Sequence, residues 1–141
     1  MKRTLIALML ISTYASAEAR ECSLEEQRWL DKELPLLVSW QRIHTSFTRN
    51  VPECDDGFFA EGYTEAVVKM LAVRWTSIPE LKALKEKDPK FFAFVLKHID
   101  ASADGNDLKQ IRKNAQQRCA REDRELCSVL ENAAERAIQE L

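Results

Sequence analysis

The chain reads as an all-α protein, a compact bundle of five or six helices stapled by two disulfides. Apolar residues recur at helical spacing through most of it, and no stretch alternates convincingly at a period of two. Glycine, the usual turn residue, occurs only 3 times in 141 residues. Four cysteines, Cys22, Cys54, Cys119 and Cys127, supply the staples.

Residues 1–17 stand outside that bundle and have the pattern of a secretory signal peptide. Lys2 and Arg3 form a positive start, Leu5 to Ile11 is an uncharged apolar run, and Ala15-Ser16-Ala17 offers the small residues of a cleavage site. The run is shorter than the roughly 20 residues a membrane span needs. Cleavage after Ala17 leaves residues 18–141, or 141 − 17 = 124 residues, the size of one domain. Losing Lys2 and Arg3 moves the net charge from −2 to −4. A basic nucleic-acid footprint is therefore not expected, and neither is a membrane contact after signal removal. The localisation this implies is periplasmic or secreted.

The first helix of the domain starts at Ser23-Leu24-Glu25-Glu26, a capping box in which a hydroxyl cap is followed three residues later by a carboxylate. Trp29, Leu36, Trp40, Ile43 and Phe47 continue the apolar stripe, with a kink or break expected near Leu34 because Pro35 follows it. From Thr48 to Gly62 the periodicity lapses, and Asn50-Val51-Pro52 with Asp55-Asp56-Gly57 predicts a loop. A second helix is expected from about Thr64 to Trp75, with Val67, Met70, Leu71 and Trp75 on one face. Ser77-Ile78-Pro79-Glu80 predicts a capped third helix, and Asp88-Pro89 opens a fourth. Phe91, Phe92, Phe94, Val95, Leu96 and Ile99 make that fourth helix apolar nearly all round, so it is expected to be the most buried. A fifth begins at Asp104-Gly105-Asn106-Asp107 with Leu108, Ile111, Ala115 and Cys119 in line. The last begins near Glu122 and lines up Leu126, Leu130, Ala133, Ala137 and Leu141.

An even cysteine count in an exported chain points to two disulfides, and four cysteines allow three pairings. Cys119 and Cys127 flank a short polar turn, where closure is easiest, which leaves Cys22 to Cys54 as the partner bridge. Chain-entropy reasoning assigns about 2.6 kcal/mol to the short bridge and about 3.7 kcal/mol to the long one.

The search for chemistry yields little. Asp100, Ser102, Asp104 and Gly105 resemble the start of a calcium loop, but the twelfth position, which needs a bidentate glutamate, is Ile111. The region reads instead as a helix–helix turn with Asp104 as a cap. His44 and His98 sit on otherwise apolar helices, and Cys119 and Cys127 are too widely spaced for a zinc pair. No G-x-S-x-G and no glycine-rich phosphate loop occurs. No metal site or cofactor is expected, and the chain reads as a non-enzyme. The segment Glu53 to Tyr63 is the distinctive one. Glu53, Asp55 and Asp56 concentrate negative charge beside Cys54, and Phe58, Phe59 and Tyr63 add aromatic anchors of the kind that interfaces use, two of the three being expected in the core. A long loop inside a compact domain is a place where function is found, and it is the candidate partner-binding surface.

The runs Cys54-Asp55-Asp56-Gly57, Ala60-Glu61-Gly62-Tyr63 and Phe94-Val95-Leu96-Lys97-His98-Ile99-Asp100 are similar to a group of small exported bacterial proteins. In size, signal, helices and disulfides the chain resembles the periplasmic immunity proteins of type VI secretion amidase systems. That resemblance implies a protein partner, a secreted toxin or cell-wall hydrolase that the immunity protein binds and blocks, and it implies a homodimer. In that family an exposed loop plugs the enzyme, and no residue of this chain is matched to it. The expected function is therefore a periplasmic protein-binding module of the immunity or inhibitor type. A periplasmic stress or chaperone-like helical protein is the alternative, and an enzyme using the acidic segment is the third reading.

Overall fold

The computed structural model describes residues 20–50 and 52–141, so the expected signal peptide lies outside the described residues. Seven α-helices, and no strands, are found among the described residues. They are α1 (Leu24–Glu33), α2 (Trp40–Arg49), α3 (Gly57–Val73), α4 (Ile78–Lys87), α5 (Pro89–Lys97), α6 (Gly105–Gln117) and α7 (Arg124–Gln139). The fold class is all-α, and both disulfides form with the expected pairing, Cys22–Cys54 and Cys119–Cys127.

The helix count exceeds five or six because Pro35 fully separates α1 from α2. Leu34–Leu36 tightens into a 3-10 turn, and Ser39 restarts the chain by accepting the Arg42 N–H at 3.2 Å. The predicted capping box of α1 is present: Ser23 Oγ accepts the Glu26 N–H at 3.3 Å and Ser23 N–H donates to Glu26 Oε2 at 2.8 Å. A second expected box, at Ser77, does not form. The Ser77 hydroxyl donates to Arg74 O at 2.7 Å and accepts the Trp40 indole N–H at 2.9 Å, so a tertiary contact has claimed it.

The largest departure lies between Thr48 and Gly62. The expected loop shortens to a bend at Asn50, a 3-10 turn at Pro52–Cys54 and a bend at Asp55 and Asp56, and α3 starts at Gly57 rather than near Thr64. Asp56 caps it by accepting the Gly57 N–H at 2.8 Å, and Gly57 itself has φ +50°, a conformation that suits glycine. α3 ends at Val73, short of the expected Trp75, because the chain leaves helical geometry at Arg74. α7 begins at Arg124, after a 3-10 turn at Arg121–Asp123, instead of near Glu122.

α6 and α7 form the most extensive helix pair. They run antiparallel, as Arg112–Glu135 and Gln116–Glu131 bonds, both 2.7 Å, show. The Cys119–Cys127 bridge closes their turn. α3 packs on α6, where buried Asn114 donates to Leu71 O at 3.0 Å and Ala72 O at 2.9 Å, satisfying carbonyls at the end of α3. As expected, α5 is a core helix: Phe91 and Val95 are fully buried, and Phe92 and Phe94 nearly so. Its rings join Phe47, His44 and Tyr63 in one aromatic cluster, with Tyr63 edge-on to Phe94 at 5.1 Å.

Candidate functional site

The segment from Glu53 to Tyr63 divides into an anchored half and a displayed half. Cys54 is buried and tied to Cys22, which fixes residues 52–54 against the start of α1. Asp55 turns inward. Its carboxylate is 8% exposed, takes the Lys97 ammonium, and stands 3.1 Å from His98 Nε2. Neither Nε2 nor Asp55 Oδ1 has a well-aligned hydrogen bond, so the two groups face each other at close range without a formal one. Burial pushes the Asp55 carboxyl up, yet the His98 and Lys97 contacts outweigh it and hold the group below the ordinary carboxylate range. Glu53 and Asp56 stay at the surface. The sequence cluster of three acids is thus split, with one carboxylate a structural anchor and two exposed.

The aromatics divide as well. Tyr63 is fully buried, and its hydroxyl shares a 2.7 Å hydrogen bond with Ser46. Burial raises its pKa to about 12 despite that bond, helped by the nearby Asp55 and Glu33 charges. Phe59 is half-buried against the core. Phe58 is 68% exposed and lies edge-on to Phe59 at 5.6 Å.

Behind Asp55 a polar chain runs inward. His98 Nδ1 is 3.1 Å from Thr64 Oγ1, which donates to Asp100 Oδ2 at 3.1 Å. Carboxylate, imidazole and hydroxyl in series are the parts of a nucleophilic triad. Here Thr64 and His98 are 2% and 1% exposed, so no substrate reaches the hydroxyl and the series ties α3 to α5 and to residues 52–56. His44, the other histidine, meets Asp88 at 3.0 Å at the start of α5.

The calcium-like turn has other work for its oxygens. Asp100 Oδ1 accepts Ser102 N–H at 2.8 Å and its hydroxyl at 2.6 Å, Asp104 Oδ1 caps α6 at Asn106 and Asp107, and Ile111 is fully buried. Cys22, Glu26 and Cys54 bring their ligand atoms within 4.8 Å of one another, but both sulfurs are spent in the disulfide.

The feature that sequence reasoning missed is a groove of about 780 Å³ along α3. The Leu34–Val38 turn forms one wall and the Ser102–Asp107 segment the other, with Gly62, Ala66 and Met70 of α3 between them. Gly62 lets the first wall close in, since a Cβ there would stand 2.6 Å from Leu34 Cδ1. Val38, Phe58 and Val73 line this groove at 55%, 68% and 68% exposure. A signal for it existed in the sequence: Val73 is apolar yet falls off the buried stripe of Val67, Met70 and Leu71. Val38 likewise lies outside the stripe of Trp40 and Ile43. Of the six side chains named for the partner surface only Phe58 lines the groove, joined by Glu61 and Gly62 of the same segment.

The chain matches no protein-family model, no curated protein and no solved structure at a significant level.

Proposed function

We propose that this chain is an exported protein-binding module of the immunity or inhibitor type, which holds a toxic cell-wall hydrolase through the face built on α3. The carrying observation is that Val38, Phe58 and Val73, three of the six exposed large hydrophobics among the described residues, line one groove. Scattered exposed apolar residues need no explanation, but a shared apolar groove with polar neighbours is the mark of an interaction surface. Its backing is rigid, because the Cys22–Cys54 bridge and Asp55 anchor the chain that leads into Phe58. A preformed surface loses less entropy on binding.

Two disulfides fit an oxidising compartment. Among the described residues, no helix is long and apolar enough to cross a membrane. The Thr64–His98–Asp55 series is sealed from solvent, which favours a binding role over catalysis at that site. Export to the periplasm, and a hydrolase as the partner, rest on the signal-like N-terminus and the resemblance described above.

Affinity capture from periplasmic extract, with the parent and Phe58→Ala side by side, tests this reading. The expected result is one cell-wall hydrolase retained by the parent, inhibited on peptidoglycan, and at least about tenfold weaker on the folded variant, as for a central aromatic anchor. Recovery of many unrelated unfolded chains would instead support the chaperone-like reading. Equal retention by parent and variant would remove the α3 face from the account.

A further inference from the structure

We infer that the occupant of the α3 groove is an amphipathic helix of the partner protein, apolar on its inserted face and carrying Lys or Arg beside it. This rests on the protein-binding reading above and names the chemistry of the partner. Three observations lead there. The first is length. Phe58 and Val73 stand at opposite ends of the exposed face of α3, 15 residues apart, which at 1.5 Å per residue is about 22 Å. A groove of that span with apolar side chains at both ends matches four turns of helix.

The second is backbone chemistry. An extended segment needs hydrogen-bond partners for its own N–H and C=O groups, and it finds them at a sheet edge. The described residues contain no strand, and the groove is walled by α3, the 34–38 turn and the Ser102–Asp104 turn that leads into α6, so it offers no sheet edge. A helix, whose backbone groups are satisfied internally, is the occupant that needs no such edge.

The third is charge. Glu61 and Glu65 lie one turn apart on α3, both exposed, both lining the groove, and neither has an ion-pair partner among the described residues. The two cations that line the groove are engaged. Lys69 meets Asp107 at 2.6 Å, and the Arg74 guanidinium donates to Val38 O at 2.6 Å. The lining carries four carboxylates, Glu61, Glu65, Asp104 and Asp107, against those two cations, so its balance is negative and the partner supplies cations.

The test uses the disulfide-intact mature protein and two fluorescent 16-residue helical peptides, one built of Leu and Lys and the other of Leu and Glu in the same spacing. Fluorescence anisotropy at physiological salt is expected to show binding of the Leu/Lys peptide and none of the Leu/Glu peptide, with a gain of helical circular dichroism on binding. Glu61→Gln with Glu65→Gln should weaken it about fivefold, the sum of two exposed charge pairs. Glu122→Gln with Glu125→Gln removes the same charge outside the groove and should change affinity less than twofold. Val73→Ser should weaken binding without changing its salt dependence. Equal loss in the two double variants, equal binding of both peptides, or binding without helix gain overturns the inference. A parent that sediments as a dimer dispersed by Val73→Ser also overturns it, because a second copy is then the occupant. If the peptides fail while the captured hydrolase still depends on Phe58, the binding reading stands and only the helix is wrong.

Discussion

Asp55 shows how one side chain changes meaning once its neighbours are known. In the sequence it is one of three acids beside a cysteine and a natural contact residue. In the structure its carboxylate is nearly buried against Lys97 and His98, while Glu53 and Asp56 carry the surface charge. No local pattern reveals that pairing, because the partners are far apart in the chain and only the packing of α5 brings them together. Replacing Asp55 would therefore test stability rather than binding. Its carboxyl titrates lower in the folded chain than in the unfolded one, so the stabilisation is complete above the unfolded value of about 3.9 and fades as pH falls through the folded value. Asp55→Asn should cost about 1–3 kcal/mol at pH 7, since it removes the carboxylate that the buried His98 ring and the Lys97 ammonium face. Urea unfolding should show the gap between parent and variant closing toward pH 3. A gap that stays constant with pH would show that charge is not what Asp55 contributes.

At the scale of elements, most helix starts were readable and α3 was not. Ser23, Asp88 and Asp104 announce their helices, and each makes the cap bond expected of it. The first turns of α3 carry Gly57 and Gly62 and few core side chains, so hydrophobic periodicity has nothing to register there. The Asp-Gly pair that reads as a loop is in fact the cap and first residue of the helix. Gly62 has a second role that sequence alone does not show, a close approach to Leu34. Alanine in the middle of a helix ordinarily gains about 1 kcal/mol over glycine. Here the added methyl pushes on Leu34, and overpacking of that kind costs about 1–3 kcal/mol. Gly62→Ala should therefore be neutral or destabilising, while in a Leu34→Ala background the same change should stabilise. A double-mutant cycle by chemical denaturation is expected to give a coupling of about 1 kcal/mol. Additivity would mean that the wall of the groove does not lean on α3.

For the whole molecule, the runs 54–57 and 60–63 and the distant run 94–100 converge in space. Asp55 meets Lys97 and His98, and Tyr63 lies 5.6 Å from the His98 ring. The buried members of these runs, Cys54, Tyr63, Phe94, Val95, His98 and Ile99, belong to the interior that holds residues 52–56 and α3 in place, while Glu61 and Gly62 line the groove. The Cys22–Cys54 bridge belongs to the same support. Replacing both residues with alanine should lower stability by about 2–4 kcal/mol, measured by denaturant titration. It should also weaken partner binding, because the chain entering α3 loses its anchor. Export predicts a mature N-terminus at Glu18, which intact-mass measurement of the periplasmic protein checks, and a chain that retains Met1 there would contradict it. The fold class, the bridges and the buried α5 were legible because they follow from local period and cysteine position. The groove was not, because it is made by the spacing of elements that never touch in sequence. The central claim, that another protein is held on the exposed face of α3, is tested most directly by site-specific photocrosslinking in periplasm. A photoreactive residue at position 58 or 73 should capture one partner, and the same residue at position 125 on α7 should capture none. Capture from position 125, with none from 58 or 73, would contradict it.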